Sequence, residues 1–575
     1  MLPNSFINQE KDRVFDITRH QGVLSEDLFL GWERTVKAHK NNSVKEANER
    51  LRNMVDRLKW GDFNLSCMDS EKICDYCDAI AGRVLRVMPK FPDKVSISEL
   101  GALEERINEA GRLDVHGLKI DVPEDEAKRL KVLRGAYVRI CDPVWWRRKL
   151  KRRQRRAVEG VARDLGMVQA RVGGYCSNLS LFNLRKQNEK NNKILDSMVA
   201  ENEAGDTFYL SELQEKSISN PEIRRAELMT RIRGFEILAE KQNYDAVFWT
   251  LTCPSQFHAY YAIGGKNGKY KGGSVLDAQE YLVHVWANFR TWLNRNGIDG
   301  FGFRVAEPHH DGCPHWHILY FGNKADLEKA TIELKKRNLE LDGHEDGAQE
   351  KRFTAKWLEK GVDERGRKLS AAGYIAKYIA KSIDGFQVGK DKETGLDTTV
   401  SSERVVGWAR VWGIRQFQQI GGAPVGLWRE MRRLKGEERT ETDNDFIKEA
   451  ENEIFNLHEA LEGYEDQAEA WAVFNMMVGS GRNTLYKLWK TDEPGLSQIT
   501  QFMEVDHETG EVLCTDGVKK RNQYGEVVTV VKGLLVDVLG SMQKVKTRFH
   551  EWSLKRCDVA RERAVSLEGA QPLLL

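Results

Sequence analysis

A chain of 575 residues exceeds what one ordinary hydrophobic core organises, so about three to four domains are expected. Its 31% charged and 41% hydrophobic residues are ordinary globular proportions, and the net charge of +2 hides local asymmetry that has to be read segment by segment. No apolar run approaches the roughly 18 residues that span a bilayer, and the start, MLPNSFINQEKDRVFD, lacks a signal-peptide core, which argues against a membrane protein and for the cytoplasm.

Residues 1–140 alternate charged and apolar residues at helical spacing, as in SVKEANERLRNMVDRLKW, and are predicted to form a mostly helical domain. They hold one CxxC, Cys74 to Cys77, with no second pair at zinc-finger spacing, and the nine scattered cysteines fit reduced thiols better than disulfides. Residues 141–220 open with CDPVWWRRKLKRRQRRAVEG, in which 8 of the 12 residues from Trp145 to Arg156 are Lys or Arg. Those side chains fall all round a helix, which argues for contact with a polyanion and marks Trp145, Trp146, Arg147, Arg148, Arg152 and Arg153 as candidate DNA contacts. A solvated charged helix is the plainer alternative.

From 221 to 435 the pattern turns α/β. SNPEIRRAELMTRIRGFEILAE reads as a helix capped by Ser219 or Asn220 with Pro221 in its first turn, and AVFWTLTCP as a strand ending at Pro254. A glycine-rich basic loop follows, and then Leu282, Val285, Trp286, Phe289, Trp292 and Leu293 form the apolar stripe of a helix that stops at Asn296 and Gly297. Residues 436–575 are acidic and helical, then mixed, with strand-like pieces around GEVVTVVKGLLVDVLG. There is no P-loop of the form GxxxxGKS or GxxxxGKT, so any motor working beside this protein is another chain.

Within the third region, FGFRVAE runs to Glu307 and HWHILYF starts at His315, with the turn-rich PHHDGCP between them, which predicts a β-hairpin. Alternation along a strand puts His315 and His317 on one face, with Leu319 and Phe321 continuing it and Glu307 at the end of the opposing strand. Two imidazoles and a carboxylate suit a divalent cation of borderline to hard character, magnesium or manganese before others. Zinc stays open, because Cys313 and Cys253 could lie near, and two satisfied, half-buried histidines are the structural alternative.

Downstream, SAAGYIAKYIAKSIDG at about 100° per residue gathers Tyr374, Lys377, Tyr378 and Lys381 into one stripe, opposite Ile375, Ile379, Ile383, Ala376 and Ala380. Aromatics that pack a core would sit with the isoleucines. A phenol is a poor nucleophile at neutral pH, so an adjacent ammonium or metal would help it attack a phosphodiester, giving a phosphotyrosine ester and a free hydroxyl. Two tyrosines one turn apart permit a cut and a transfer in sequence.

PHWH with its upstream Glu307, followed by YIAKY, resembles the motifs of the HUH endonuclease superfamily in its two-tyrosine branch, and FWTLT resembles the first rolling-circle strand motif. More narrowly, CDPVWWRRKLKR, GGYCSN, EPHHDGCPHWH, YIAKYIAKS and VWGIRQFQQIGGAPVGLWREMRRL are similar, in this order, to the phage replication gene A protein family, replication endonucleases of temperate tailed phages. The resemblance covers roughly residues 130–435. It implies an α/β (α+β) fold, with a central antiparallel-sheet endonuclease domain over 221–435 flanked by mostly helical N-terminal and C-terminal regions. It implies a rolling-circle initiator that nicks one strand at the phage origin, acting in the bacterial host cytoplasm with a host helicase and polymerase.

In that reading His315 and His317 are metal ligands, with Glu307 as the third unless His309, His310 or Asp311 takes its place. Tyr374 and Tyr378 are the nucleophiles, Lys377 is the helper between them, and the products are a 5′-phosphotyrosyl enzyme and a 3′-hydroxyl. Single-stranded DNA would lie along this face, with Lys381, Arg404, Arg410, Trp412, Arg415, Gln416 and Phe417 as further candidate contacts, and a structural role for WGIRQFQQIGG as an equal alternative. The alternatives are a two-tyrosine transposase and a non-catalytic DNA-binding protein with a structural zinc at His315 and His317.

Overall fold

The computed structural model describes residues 4–38, 43–92, 94–359, 361, 369–386, 389–434, 442–479, 486–491 and 530–556. Before residue 141 the chain forms helices at Asn4–Thr18, Ser25–Ala38, Ser43–Arg57, Ser70–Val87, Leu100–Gly111 and Glu126–Ile140, with one two-stranded ribbon, Lys59–Trp60 against Phe63–Asn64. Cys77 of the CxxC is fully buried among apolar side chains, and burial pushes its thiol up to about 12, which keeps it a protonated hydrophobe.

The basic run forms α1 (Pro143–Asp164), started by Asp142, whose carboxylate accepts from Val144 N, and by Pro143 in the first turn. Its charges do not surround it evenly. Trp146, Leu150, Gln154, Val158 and Val161 line one buried stripe, on which two groups of N-terminal helices close: Trp146 and Leu150 join Ile73, Val84 and Ile107, while Val158 and Val161 join Leu28, Trp32 and Leu51. The sequence conceals this stripe because Gln154 interrupts it; that side chain donates to the Cys67 carbonyl (2.5 Å). Next come α2 (Asn178–Asp196) and a short ribbon of Met198–Asn202 against Thr207–Tyr209, extended on its other edge by Trp552–Arg556.

The central sheet is built from β1 (Asp245–Thr252), β2 (Gly300–Pro308), β3 (Pro314–Gly322), β4 (Phe353–Leu358) and β5 (Phe417–Ile420), in the spatial order β4-β1-β3-β2-β5 with every neighbour antiparallel. Between and around the strands run α3 (Pro221–Lys241), α4 (Val275–Arg295), α5 (Lys324–Leu339), α6 (Ala371–Ile383) and α7 (Thr398–Trp412). Asn220 caps α3, and α4 ends at Asn296 before Gly297 (φ 63°), as the sequence predicts. The class is α+β, as expected.

Alternation along the strands sends the two faces of the sheet into separate cores. One face puts Phe248, Phe303, Leu319 and Phe321 against α3 and α6; the other puts Trp249, Trp316, Ile318 and Tyr320 against α4 and α5. Each large side chain buried this way contributes about 1.5–3 kcal/mol, so the sheet is held rigidly from both sides. Two further helices, α8 (Asp445–Glu462) and α9 (Gln467–Val478), insert Ile454, Phe455, Trp471 and Phe474 into the first of these cores, which therefore runs across residue 435. Of the strand-like stretch 525–540, Val530–Val538 is a strand between Tyr486–Thr491 and Ser541–Lys546, and 525–529 lies outside the described residues. No helix among the described residues is long and apolar enough to cross a membrane.

Candidate active site

The site starts with the β2–β3 hairpin. His309 N donates to the Cys313 carbonyl (2.7 Å), and Gly312 takes φ 80°, a left-handed conformation that glycine adopts without a Cβ penalty. In the resulting register Glu307 lies opposite His315 and Val305 opposite His317, while Thr250 of β1 faces His317 from the other side. Directly opposed residues of an antiparallel pair share a face, so Glu307, His315 and His317 converge. His315 Nε2 and His317 Nε2 are 2.8 Å apart, and Glu307 Oε2 stands 3.9 and 3.7 Å from them.

All three residues are buried, and each is oriented from behind. Ser382 Oγ donates to Glu307 Oε1 (2.8 Å), which leaves Oε2 turned to the histidines, and Thr250 Oγ1 is 3.1 Å from His317 Nδ1. The His315 Nδ1 is buried without a hydrogen-bond partner among the described residues, and the His309 ring lies 4.0 Å from the His315 ring. Burial, followed by the repulsion of nearby cationic groups, holds both imidazoles well below the usual histidine range, so they stay neutral and offer lone pairs. Burial pushes the Glu307 carboxyl up to about 7, against the opposing pull of Lys381 and Ser382.

This donor set fits a small divalent cation. Ligands at roughly 2.1 Å from one ion stand roughly 3 to 3.5 Å apart, a range that the 2.8–3.9 Å spacings bracket. Neutral nitrogens, a carboxylate and outer partners that fix their orientation are what such an ion requires. Glu307, His315 and His317 are the group that meets these conditions among the described residues. Cys253 and Cys313 fall in the core on the opposite face of the sheet, which removes the thiolates that would have favoured zinc. Asp311 is also occupied elsewhere: it is fully buried, accepting from Ala259 N (2.7 Å), Cys313 N (3.1 Å) and Arg163 Nη2 (3.2 Å), with His258 Nδ1 3.4 Å away.

Across the histidine face lies α6. Ser370 caps it, and Glu236 of α3 accepts from both Ser370 Oγ (2.9 Å) and Ala371 N (2.6 Å), an anion at the positive end of the helix. Ile375, Ile379 and Ile383 are buried, as expected, which turns the tyrosine and lysine stripe toward the hairpin. The Tyr378 ring lies 4.0 Å from the His317 ring, and the Tyr374 ring packs edge-on to Phe248 at 4.7 Å. Lys377 Nζ stands between the two tyrosines, 4.7 Å from the ring of Tyr374 and 4.8 Å from that of Tyr378. Burial, Tyr374 and Glu307 raise the Tyr378 phenol above its usual range, so the hydroxyl is protonated at neutral pH.

Several participants escape sequence reasoning. Lys356 of β4 carries its Nζ 4.5 Å from the Tyr374 ring, brought there by edge-strand pairing that no local pattern announces. Ser382 and Thr250, which orient the donors, lie inside the quoted motifs YIAKYIAKS and FWTLT, and helical and strand periodicity could have picked them out.

Of the other candidates, some are exposed and some are buried. Trp146 is fully buried, its Nε1 donating to the Ile140 carbonyl (2.8 Å), so it has no face for a base and is part of the N-terminal core. Arg404, Trp412 and Gln416 are likewise buried: Arg404 donates to the Cys176 carbonyl (2.7 Å) and Gln416 to the Ser382 carbonyl (3.1 Å). Trp145 and Arg147 are half-buried, and Arg148, Arg152, Arg153 and Arg415 are exposed. Lys381 turns inward, 3.7 Å from Asp391.

A profile of the family described as bacteriophage replication gene A protein (GPA) matches residues 80–386, a span that includes the hairpin and the tyrosine helix. The chain belongs to this family. Among its relatives, the replication protein of Haemophilus phage HP1 is 36% identical over 75% of this chain and 50% of its own length, and the replication gene A protein of Escherichia phage 186 is 34% identical over 76% and 58%. A probable replication endonuclease from a prophage-like region of Salmonella paratyphi A is 34% identical over 60% and 44%. The chain thus spans about half the length of the curated relatives it matches. No solved structure matches it.

Proposed function

We propose that this family member is a metal-dependent endonuclease that nicks one DNA strand at a replication origin through tyrosine attack and later rejoins ends by strand transfer. The observation that carries the reading is the meeting of the Tyr374, Lys377 and Tyr378 stripe with the buried Glu307, His315 and His317 group, with 4.0 Å between the Tyr378 and His317 rings. Membership of a phage replication family supports the substrate.

Glu307, His315 and His317 would hold magnesium or manganese, which when bound supplies positive charge to a non-bridging phosphate oxygen. Tyr378 or Tyr374 Oη attacks phosphorus; the new bond is P–Oη and the bond broken is P–O3′. The phenol gives up its proton and the departing 3′-oxygen takes one, leaving a 5′-phosphotyrosine ester and a 3′-hydroxyl for a host polymerase. Lys377 Nζ, next to both rings, favours phenolate and then pairs with the pentacovalent phosphorane. Because the ester retains the energy of the phosphodiester, attack by a 3′-hydroxyl reverses the step, and the second tyrosine can cleave while the first is still esterified.

The test is a nicking assay on single-stranded DNA carrying the phage's replication region, with magnesium or manganese, comparing wild type, Tyr374→Phe, Tyr378→Phe and the double variant. The expected result is a metal-dependent nick with a 5′-linked protein adduct that only the double variant abolishes. Tight binding without a nick on a verified origin would instead favour a non-catalytic DNA-binding protein.

A further inference from the structure

On the far side of the central sheet from the tyrosines, α1 borders a cleft of about 390 Å³ whose other walls include Arg57, Trp60, residues 116–118, Tyr270 and the start of α4. Lys149, Arg152, Arg153 and Arg156 face it at positions i, i+3, i+4 and i+7, one side of a helix, and Arg57 faces them. The stem of the cleft is rigid: the stripe below these cations is buried in two cores, and Arg156 Nη2 donates to the Trp412 carbonyl (2.8 Å) at the end of α7. Among the described residues, the ion pairs that border this wall are Arg57–Asp164 and Arg163–Asp311, and neither uses a cation between 147 and 156.

Such a row of like charges, held on one helix face without counter-charges, is self-repelling until an anion enters. Partial burial and mutual repulsion already push Lys149 and Arg156 below their ordinary ranges. The lining also lacks what single-stranded bases need. Its rings are not free for stacking: Trp60, His116 and Trp412 are buried, and the half-buried Tyr270 is tied through its hydroxyl to Asp164 Oδ1 (2.9 Å) with the Arg163 guanidinium over its ring. Cations without stacking surface suit a backbone whose bases are turned away, as in a duplex.

We propose that this cleft is a second DNA subsite, which grips the phosphate backbone of the duplex flanking the nick while the tyrosine face holds the single strand. The inference rests on the DNA-nicking reading for the identity of the polyanion. A link to the chemistry is already built in, since Arg163 in the last turn of α1 donates from Nε to the Asp311 carbonyl (2.7 Å) in the loop that joins the two strands of the histidine hairpin.

The experiment measures affinity by fluorescence anisotropy for a 20-base-pair duplex and a 20-nucleotide single strand over a salt series, on the full chain and on Arg152→Gln/Arg153→Gln. Both arginines are exposed, so the variant folds, and a thermal melt checks it. The expected outcome is a 10- to 100-fold loss of duplex affinity with the slope of log K against log salt shallower by about two, and a much smaller loss for the single strand. Equal losses on both substrates, or an unaltered duplex slope, would overturn the proposal. Failure of the nicking reading appears separately, as absence of the tyrosine adduct, and leaves the duplex comparison readable.

Discussion

Ser382→Ala tests the candidate metal site through a residue that is not itself a ligand. Ser382 is 1% exposed, and its Oγ donates the 2.8 Å hydrogen bond that fixes Glu307 Oε1. A hydrogen bond to a charged group is worth about 1.5–3 kcal/mol, and deleting the donor leaves Oε1 buried and unpaired with the carboxylate free to turn Oε2 off the histidines. Outer partners of this kind typically carry about 10- to 100-fold in metal affinity, which is about 1.4–2.7 kcal/mol and agrees with the hydrogen-bond figure. The backbone is spared, because Gln416 holds the Ser382 carbonyl (3.1 Å), which alanine keeps. Titration calorimetry with manganese should therefore give a dissociation constant raised about 10- to 100-fold, a melting temperature close to wild type, and nicking restored at saturating manganese. An unchanged manganese affinity in the folded variant would remove Glu307 from the ligand set and refute the reasoning.

Lys377→Met should slow single-turnover cleavage about 10- to 100-fold while barely moving DNA affinity; its ammonium lies 4.7 Å from the Tyr374 ring centroid, and opposite unit charges about 5 Å apart attract by about 3 kcal/mol at an effective dielectric of about 20, less once solvent screens this exposed side chain. Unchanged cleavage would take Lys377 out of the mechanism. Trp146→Ala should cost about 3–5 kcal/mol in urea unfolding, and Trp146→Phe less, with DNA affinity retained by the folded protein; a loss of affinity at unchanged stability would return Trp146 to the DNA contacts. Asp311→Ala leaves Arg163 buried without its carboxylate and should destabilise by about 3–5 kcal/mol, again by urea unfolding, yet leave manganese affinity intact in the folded fraction. Loss of manganese binding by folded Asp311→Ala would instead make that aspartate a ligand.

The parts of the site that were legible in the sequence are those written in local period. Two-residue alternation set His315 and His317 on one face, and the segregation of Tyr374, Lys377 and Tyr378 from Ile375, Ile379 and Ile383 announced a helix with a chemical side. The two outer strands were not legible. In β4 four consecutive residues are exposed, and β5 is only partly buried throughout, so neither carries the alternation that marks a half-buried strand; with β4 unseen, Lys356 could not be brought to Tyr374. The basic helix misled for a related reason. Counting charges round it misses a stripe interrupted by Gln154, so Trp146, which anchors a core, looks like a surface residue in the sequence.

The candidate donors, the candidate nucleophiles and the two elements that carry them are legible in the sequence alone, because each depends on spacing within one short stretch of chain. Which of the candidate donors come together follows only from the three-dimensional packing. Glu307, rather than Asp311, faces the histidines because strand pairing sets it opposite His315, while Arg163 from a distant helix holds Asp311 in the loop behind. The same sheet sends Cys253 and Cys313 to the opposite core and separates the tyrosine face from the basic cleft. These choices rest on registers and helix placements between residues far apart in the chain, where the free energy is that of packing and burial and no local pattern records it.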